Sequence, residues 1–254
     1  MDFRKHSYRA GVPILENSQT LAPLWQEIQT ALKSISEADI QDEFRKPAGK
    51  KNLTPEGNDK SISKVLNKLI KERLTASGWV AESAIFAQDE FQNSYSYDKN
   101  GKIRKSKLGV WRLDFAKQTS TQRNGVEEPI GISVEVAFNH GEAIAWNLIK
   151  PVLAAELNHV PKETDIGEGV GILICATSGM KGAGGFDGAI GEYEKVLSYL
   201  DALRTQLSIP LVIVGLEAPE TFHIRWENRG PNKVVGFIAE GPLPQELARA
   251  RRVQ

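Results

Sequence analysis

Apolar residues recur at every third or fourth position in two stretches of the first third of the chain, and this spacing predicts two amphipathic helices. The first stretch runs from Thr20 to Ser34, with Thr20 placed to cap the helix. The second covers residues 61–77 and is followed by Gly78, a residue type that commonly ends helices. Between the two helices, residues 46–60 are rich in Pro, Gly and Lys, which predicts a loop.

The middle third alternates between apolar and polar residues, which is the period of a β-strand. Residues 110–117 and 131–138 follow this pattern and predict two neighbouring strands, each with one face on the core. Ahead of them, residues 93–107 form a polar connection in which Asn100-Gly101 is typical of a tight turn.

The last third combines helical patterns with strands that are apolar almost throughout, as strands covered on both faces are. The predicted elements are a helix at 142–158, a strand at 170–178, a Gly-rich loop, a helix at 188–207 and a strand at 210–217. This order predicts an α/β fold with a central mixed sheet of five or six strands flanked by helices. No linker divides the chain, so we expect one domain over residues 1–254.

Composition narrows the class of protein. The 254 residues are 41% hydrophobic and 25% charged, which excludes disorder or a coiled coil as the main architecture. No apolar run approaches the roughly 18 residues of a membrane span, and the N-terminus lacks the pattern of a signal peptide, so no membrane association is expected. The single cysteine, Cys175, excludes a disulfide framework and favours the cytoplasm. Because 32 basic residues balance 32 acidic ones, DNA binding would require local clusters of positive charge.

Two carboxylates on the alternating strands are the first candidates for chemistry. Asp114 and Glu135 fall on the face predicted to point away from the core, on strands that are expected to pair. Two such carboxylates could share a Mg²⁺ ion, which polarises a phosphoryl oxygen and activates water in phosphodiester hydrolysis. Spacing alone favours two ordinary solvated strand residues, because Asp and Glu are abundant and mostly exposed.

A resemblance to a known family favours the metal site over two solvated strand residues. The segments LDFAK and GISVEVAFNHGEA, then a helix, VGILICATS, a Gly-rich loop, a helix and PLVIVGL resemble in order and spacing the BamHI/BglII group of type II restriction endonucleases, within the PD-(D/E)xK nuclease superfamily. The likeness covers residues 61–79 and 109–217, a nuclease core of about 61–217. It implies a Mg²⁺-dependent endonuclease of a restriction-modification system that cuts double-stranded DNA as a homodimer. It further implies a palindromic, GATC-centred target.

The resemblance also implies roles for individual residues. Asp114 and Glu135 would be catalytic metal ligands, and the backbone carbonyl of Val136 would complete the protein's share of the site. The family has an acidic or amide residue on a preceding helix that holds the metal through water. Asn67 and Glu72 of the second helix are both candidates, and periodicity does not choose between them.

Ala137 departs from the family pattern. It occupies the third catalytic position, where the family has Glu or Gln and the wider superfamily has Lys, and a methyl group can neither orient nor deprotonate water. Either Lys117 or His140 has taken over the role, or the chain binds DNA and cleaves it slowly or not at all. In the second case, Ala137→Glu should raise cleavage at least about tenfold. A non-catalytic, sequence-specific DNA-binding protein on a degenerate nuclease scaffold is the alternative function.

Several polar residues are candidate DNA contacts. The resemblance implies that the Gly-rich segment approaches DNA, which makes Thr177, Ser178, Lys181 and Asp187 candidates, and Asn139 and His140 lie in the loop after the Glu135 strand. Further candidates are the basic cluster Lys102, Arg104, Lys105 and Lys107, and, near the C-terminus, His223 and Arg225. The last two suit base edges in the major groove and equally suit a surface hairpin. The Gly-rich segment lacks both the G-x-G-x-x-G and the P-loop pattern, so a nucleotide-binding enzyme is a weaker third possibility.

Overall fold

A computed structural model describes residues 1–46, 59–86, 93–97, 100–107, 111–138, 141–156, 162–228, 230 and 234–245, with the backbone alone for 93–97 and 103–107. The helices are α1 (Gly11–Asn17), α2 (Leu21–Lys33), α3 (Glu37–Arg45), α4 (Ser63–Ala76), α5 (Ile144–Glu156), α6 (Ser178–Ala183) and α7 (Tyr193–Ala202). The strands are β1 (Phe3–Tyr8), β2 (Val80–Ala84), β3 (Asn93–Tyr97), β4 (Ile103–Lys107), β5 (Arg112–Arg123), β6 (Val126–Ala137), β7 (Val170–Ala176), β8 (Leu211–Leu216), β9 (Phe222–Asn228) and β10 (Val234–Glu240).

A mixed six-stranded sheet forms the centre of the fold, in the order β1-β8-β7-β6-β5-β2. The strands β6, β7 and β8 run parallel, and β1, β5 and β2 join the edges antiparallel. The predicted mixed α/β sheet flanked by helices is therefore confirmed. None of the helices within the described ranges combines the length and apolar character needed to cross a bilayer.

Helices cover the sheet on both faces. One apolar cluster joins α2 and α4 to the side of the sheet that carries Val134, and a second joins α5 and α7 to the side that carries Leu173. The prediction that Glu135 lies off the core is wrong, because α5 and α7 cover that face and leave the residue 1% exposed. Since the alternating pattern marks only a change of face, it does not reveal that the second face is also covered.

Several local predictions are confirmed and others are corrected. The helix 61–77 is α4, and Gly78 follows it with φ +81°, the left-handed conformation that ends helices. The polar segment 93–107 is a strand pair, β3 with β4, rather than a plain connection. The Gly-rich segment contains the short helix α6, which begins after Thr177, rather than a continuous loop.

The first 46 residues build part of the sheet and its cover. The strand β1 lies along β8 in register from Phe3 opposite Leu216 to Tyr8 opposite Leu211. The helix α2 matches the predicted segment, but the side chain of Thr20 makes no capping hydrogen bond; the hydroxyl of Ser18 accepts the amide of Leu21 instead, at 3.1 Å. Sequence patterns gave no prediction for β1, α1 or α3, which the structure adds to the fold.

Candidate active site

The strands β5 and β6 separate at one end, and this separation creates the candidate site. They pair from Arg123 opposite Val126 as far as Phe115 opposite Val134. Beyond that point β5 pairs only with β2, on its other side, while β6 continues along β7 to Ala137. Asp114 and Glu135 are the first residues past the last pair, so the sequence places one carboxylate on each side of the opening.

Asp114 is held by the neighbouring strand. Its Oδ2 accepts the backbone amide of Val136 at 2.7 Å, so the side chain provides an acceptor for an amide beyond the paired stretch of the two strands. Burial raises the pKa of Asp114, while the Val136 amide and the charge of Lys150 act in the opposite direction. The hydrogen bond fixes the carboxylate at the mouth of the opening.

Glu135 is more deeply buried and pairs with a lysine from α5. Its Oε2 accepts from the ammonium of Lys150, while its Oε1 is buried and has no hydrogen-bond partner among the residues that the structure describes. Burial, and then the charge of Asp114, raise the pKa of Glu135 to about 8, against the opposing effects of Lys150 and the Asp114 amide. A buried, unpartnered carboxylate oxygen beside a second carboxylate is a place where a cation would be favourable.

A cleft of about 370 Å³ opens over these groups. Its walls are Ser63, Asn67 and Lys71 from α4, Glu82 from β2, Asp114 and Phe115 from β5, Glu135, Val136 and Phe138 from and after β6, and Asn147 and Lys150 from α5. Within the described residues, no group of three or more His, Cys, Asp or Glu side chains is arranged to hold a metal ion. A metal here would rely on two carboxylates with other oxygens, which is the kind of ligand set that Mg²⁺, with its retained waters, accepts.

The comparison that decides the family concerns nearly the whole chain. The family model described as restriction endonuclease BglII/BglIII matches residues 3–216. The chain belongs to this family.

A solved structure of the BglII enzyme bound to DNA shares the fold. The crystal structure of restriction endonuclease BglII complexed with a DNA 16-mer has a TM-score of 0.56 and 17% identity, covering 94% of this chain and 100% of that one. The structure of free BglII has a TM-score of 0.42 and 16% identity, with the same coverage. No curated protein sequence matches the chain.

The structure of this BglII/BglIII family member distinguishes between the two candidate residues of α4, Asn67 and Glu72. Asn67 lies on the wall of the cleft. Glu72 lies outside the cleft lining, has a half-exposed side chain and is 3.9 Å from the ammonium of Lys68. Of the two, Asn67 is the residue brought near Asp114 and Glu135.

Of the three residues considered for the third catalytic role, the structure describes Ala137 and Lys117, and neither lines the cleft. Ala137 is 2% exposed and belongs to the apolar cluster that contains Leu148 and Cys175. The ammonium of Lys117 contacts Glu27 at 2.8 and 2.9 Å and the carbonyl of Ser77 at 2.8 Å, and Lys117 does not line the cleft. His140, like Asn139, lies outside the described residues.

The candidates in the Gly-rich segment surround α6. Thr177 is buried and caps this helix, accepting the Met180 amide at 3.2 Å, so its side chain has a structural role. The backbone and hydroxyl of Ser178 donate to Glu194, the ammonium of Lys181 is 3.1 Å from Glu192, and Asp187 is 3.3 Å from Lys60. None of these residues lines the cleft.

The remaining candidates lie on two strand pairs. In β9, His223 is buried and its Nδ1 donates to the carbonyl of Gly241 at 3.0 Å, while Arg225 is exposed and paired with Glu227 at 2.6 Å. The surface hairpin considered for this segment is therefore present, as β9 and β10. Lys102 is exposed before β4, and Arg104, Lys105 and Lys107 lie in that strand, where the structure describes the backbone.

Sequence reasoning missed Lys150. It is the only Lys or Arg in the apolar helix IAWNLIKPVLAAE, and a single positive charge in such a helix is the sequence feature that could have pointed to it. Its ammonium contacts Glu135 and also donates to the carbonyl of Arg112 at 3.1 Å, so it reaches both strands where they separate. The partner residues are 15 and 38 positions away in sequence, which local periodicity cannot connect.

Proposed function

We propose that the chain is a type II restriction enzyme of the PD-(D/E)xK superfamily, a sequence-specific endonuclease of double-stranded DNA that depends on Mg²⁺. The observation that carries the proposal is the cleft between β5 and β6, where Asp114 and the unpartnered Oε1 of Glu135 lie together. Membership of the BglII/BglIII restriction endonuclease family supports the same activity.

The residues of the cleft would have separate roles in metal binding, orientation and DNA attraction. Asp114 and Glu135 would hold the ion, with the Val136 carbonyl as a further ligand and Asn67 acting through water. When bound, Mg²⁺ polarises the phosphoryl oxygen and promotes ionisation of an attacking water. The Val136 amide orients the Asp114 carboxylate, and Lys150 orients that of Glu135. Lys71, exposed on the cleft wall, is placed to attract the DNA backbone.

The testing experiment is cleavage of a randomised duplex library with Mg²⁺, with EDTA as the control, followed by sequencing of the new ends. We expect symmetric double-strand breaks at one palindrome, centred on GATC as the resemblance implies, because a two-fold homodimer places one active site on each strand. Mg²⁺-independent cutting would contradict the metal assignment. Breaks at unrelated sequences would contradict the proposed specificity.

The alternative function is a non-catalytic DNA-binding protein, and the specific observation in its favour is Ala137. Selection of bound duplexes from the same library, followed by incubation with Mg²⁺, separates the two functions. Specific retention of one palindrome without any strand break would support the binding protein. Retention followed by cleavage at that site would support the endonuclease.

A basic cluster is proposed to supply local attraction for DNA. Replacing Lys102, Arg104, Lys105 and Lys107 together with Ala should weaken binding to all sequences alike and flatten the dependence of affinity on salt. Each lost phosphate contact should reduce the slope of log affinity against log salt by about 0.9. Binding titrations at several salt concentrations measure this slope.

The matched control for the cluster is the double variant Arg4→Ala/Lys5→Ala, whose positive charges are already paired with Glu217 and Glu16. We expect it to leave the salt slope close to that of the natural chain. If the quadruple variant also leaves the slope unchanged, the cluster is a solvated surface segment and takes no part in binding.

A further inference from the structure

We propose that Lys150 performs, from α5, the catalytic role that residue 137 cannot perform from β6. The inference rests on the proposed endonuclease function and deepens it. It identifies a side chain that would contact the scissile phosphate, and it removes the need to regard the chain as an impaired enzyme.

The placement of Lys150 is the first argument. Its side chain is 12% exposed, and its ammonium donates to the Glu135 carboxylate and, at 3.1 Å, to the carbonyl of Arg112. One contact belongs to β6 and the other to β5, so the ammonium bridges the two strands where they separate. It also lines the cleft over Asp114 and Glu135. A flexible side chain is thereby held at one point of the cleft.

The remaining donor capacity of the ammonium is the second argument. An ammonium carries three N–H donors and no acceptor. Among the described residues, the contacts with Glu135 and Arg112 engage two donors, which leaves one for a ligand in the cleft. An anionic oxygen is the partner that such a donor binds most strongly.

The placement of the other residues considered for this role is the third argument. Lys117 is engaged by Glu27 and Ser77 away from the cleft. Ala137 presents only a methyl group, and that group packs in the apolar cluster beside Leu148. Lys71 also lines the cleft, but it is exposed and on α4, with no contact to either carboxylate ligand among the hydrogen bonds described.

The chemistry follows from the donor character of the group. In hydrolysis, the oxygen of water forms a bond to phosphorus and one P–O ester bond breaks. The leaving oxygen departs as a hydroxyl with one proton of that water, and the second proton passes to the solvent. Negative charge builds on the phosphoryl oxygens during attack. A preorganised ammonium that donates to one of them lowers the barrier, because its contacts with Glu135 and Arg112 already fix it in position.

The first experiment compares single-turnover cleavage of cognate duplex by the natural chain and by Lys150→Met, Lys150→Arg and the matched control Lys117→Met. We expect Lys150→Met to lose at least about 100-fold in rate and Lys150→Arg, which keeps the charge, to recover much of it. Lys117→Met, which removes an ion-paired lysine outside the cleft, should lose less than about tenfold. If Lys150→Met does not fold, Lys150→Gln replaces it in each measurement.

The second experiment asks whether the ammonium contacts the scissile phosphate, which a purely structural partner of Glu135 would not do. Affinity without metal is measured for duplexes that carry either the normal phosphate or an uncharged methylphosphonate at the cleavage position. Moving from the natural chain to Lys150→Met should cost about tenfold more affinity on the normal duplex than on the methylphosphonate duplex. Equal costs on the two duplexes would overturn the inference.

Two further outcomes separate this inference from the proposed function. If the natural chain cuts DNA and Lys150→Met cuts equally fast, Lys150 has no catalytic role and the endonuclease proposal still stands. If no DNA is cut by the natural chain, both proposals fail. A tenfold or greater rise in the rate of Ala137→Glu would show that position 137 is the missing group and would also overturn the role of Lys150.

Discussion

Replacing Asp114 with Asn should reduce single-turnover cleavage at least about 100-fold while the protein still folds and binds its DNA. The amide oxygen of Asn can still accept the Val136 amide, so the local geometry that Asp114 maintains is preserved. Only the charge is lost, and a hard divalent cation binds a neutral oxygen much less strongly than a carboxylate. Calorimetric titration with Mg²⁺ and Ca²⁺ should therefore show that binding at the site is lost.

The control for this variant is Asp201→Asn, which removes an exposed carboxylate from α7. It should bind divalent ions and cut DNA as the natural chain does. Unchanged divalent affinity in Asp114→Asn would remove Asp114 from the metal site, whatever happens to the cleavage rate. DNA affinity, measured by gel shift with Ca²⁺, should change little, because most of the proposed phosphate and base contacts lie outside the cleft.

A chain that begins at residue 59 should fail to fold cooperatively. The sequence motifs alone placed the start of the nuclease core at about residue 61, but the family match begins at residue 3. The truncation removes Trp25, Ile28 and Leu32, all buried against the sheet. At about 1.5–3 kcal/mol for each buried side chain, these three alone contribute about 4.5–9 kcal/mol, comparable to the whole net stability of a domain. The truncation also removes β1 from the edge of the sheet.

Urea unfolding followed by circular dichroism tests this expectation, with the full chain as the reference. We expect one cooperative transition for the full chain and a broad, non-cooperative change or precipitation for the shortened one. A cooperative transition in the shortened chain would show that residues 59–254 are a domain by themselves. The proposal of one domain over residues 1–254 would then be wrong.

The strands β5 to β8 and the helices α2, α4, α5 and α7 were predictable because their apolar patterns are local, although β5 and β6 are longer and α7 is shorter than the patterns indicated. The fully buried β7 and β8 and the helix α4 lie within about two residues of the expected limits. By contrast, β1 was missed because four of its six residues are exposed, as in an edge strand, and its pattern FRKHSY resembles a polar tail. The helix α6 was missed because three glycines in and next to it suggested a loop.

The candidate site, too, was only partly predictable from the sequence. Asp114 and Glu135 could be proposed from sequence because a strand pair brings neighbouring segments together. Their burial could not, since it depends on α5 and α7 folding over a face whose residues, Ser133, Glu135 and Ala137, are small or polar. The contact of Lys150 with Glu135 likewise could not be predicted, because it depends on α5 folding back across the sheet.

The pairing of β1 with β8 determines how late in synthesis the sheet can be completed. The first strand leaves the ribosome early, but its partner, residues 211–216, is made about two hundred residues later. Until then β1 has no strand to pair with, and the carboxylates of β5 and β6 lie in a sheet that is still incomplete. Closure of the sheet is thus a late, long-range step of the slow kind. Cleavage competence should therefore appear only after residue 216 has emerged.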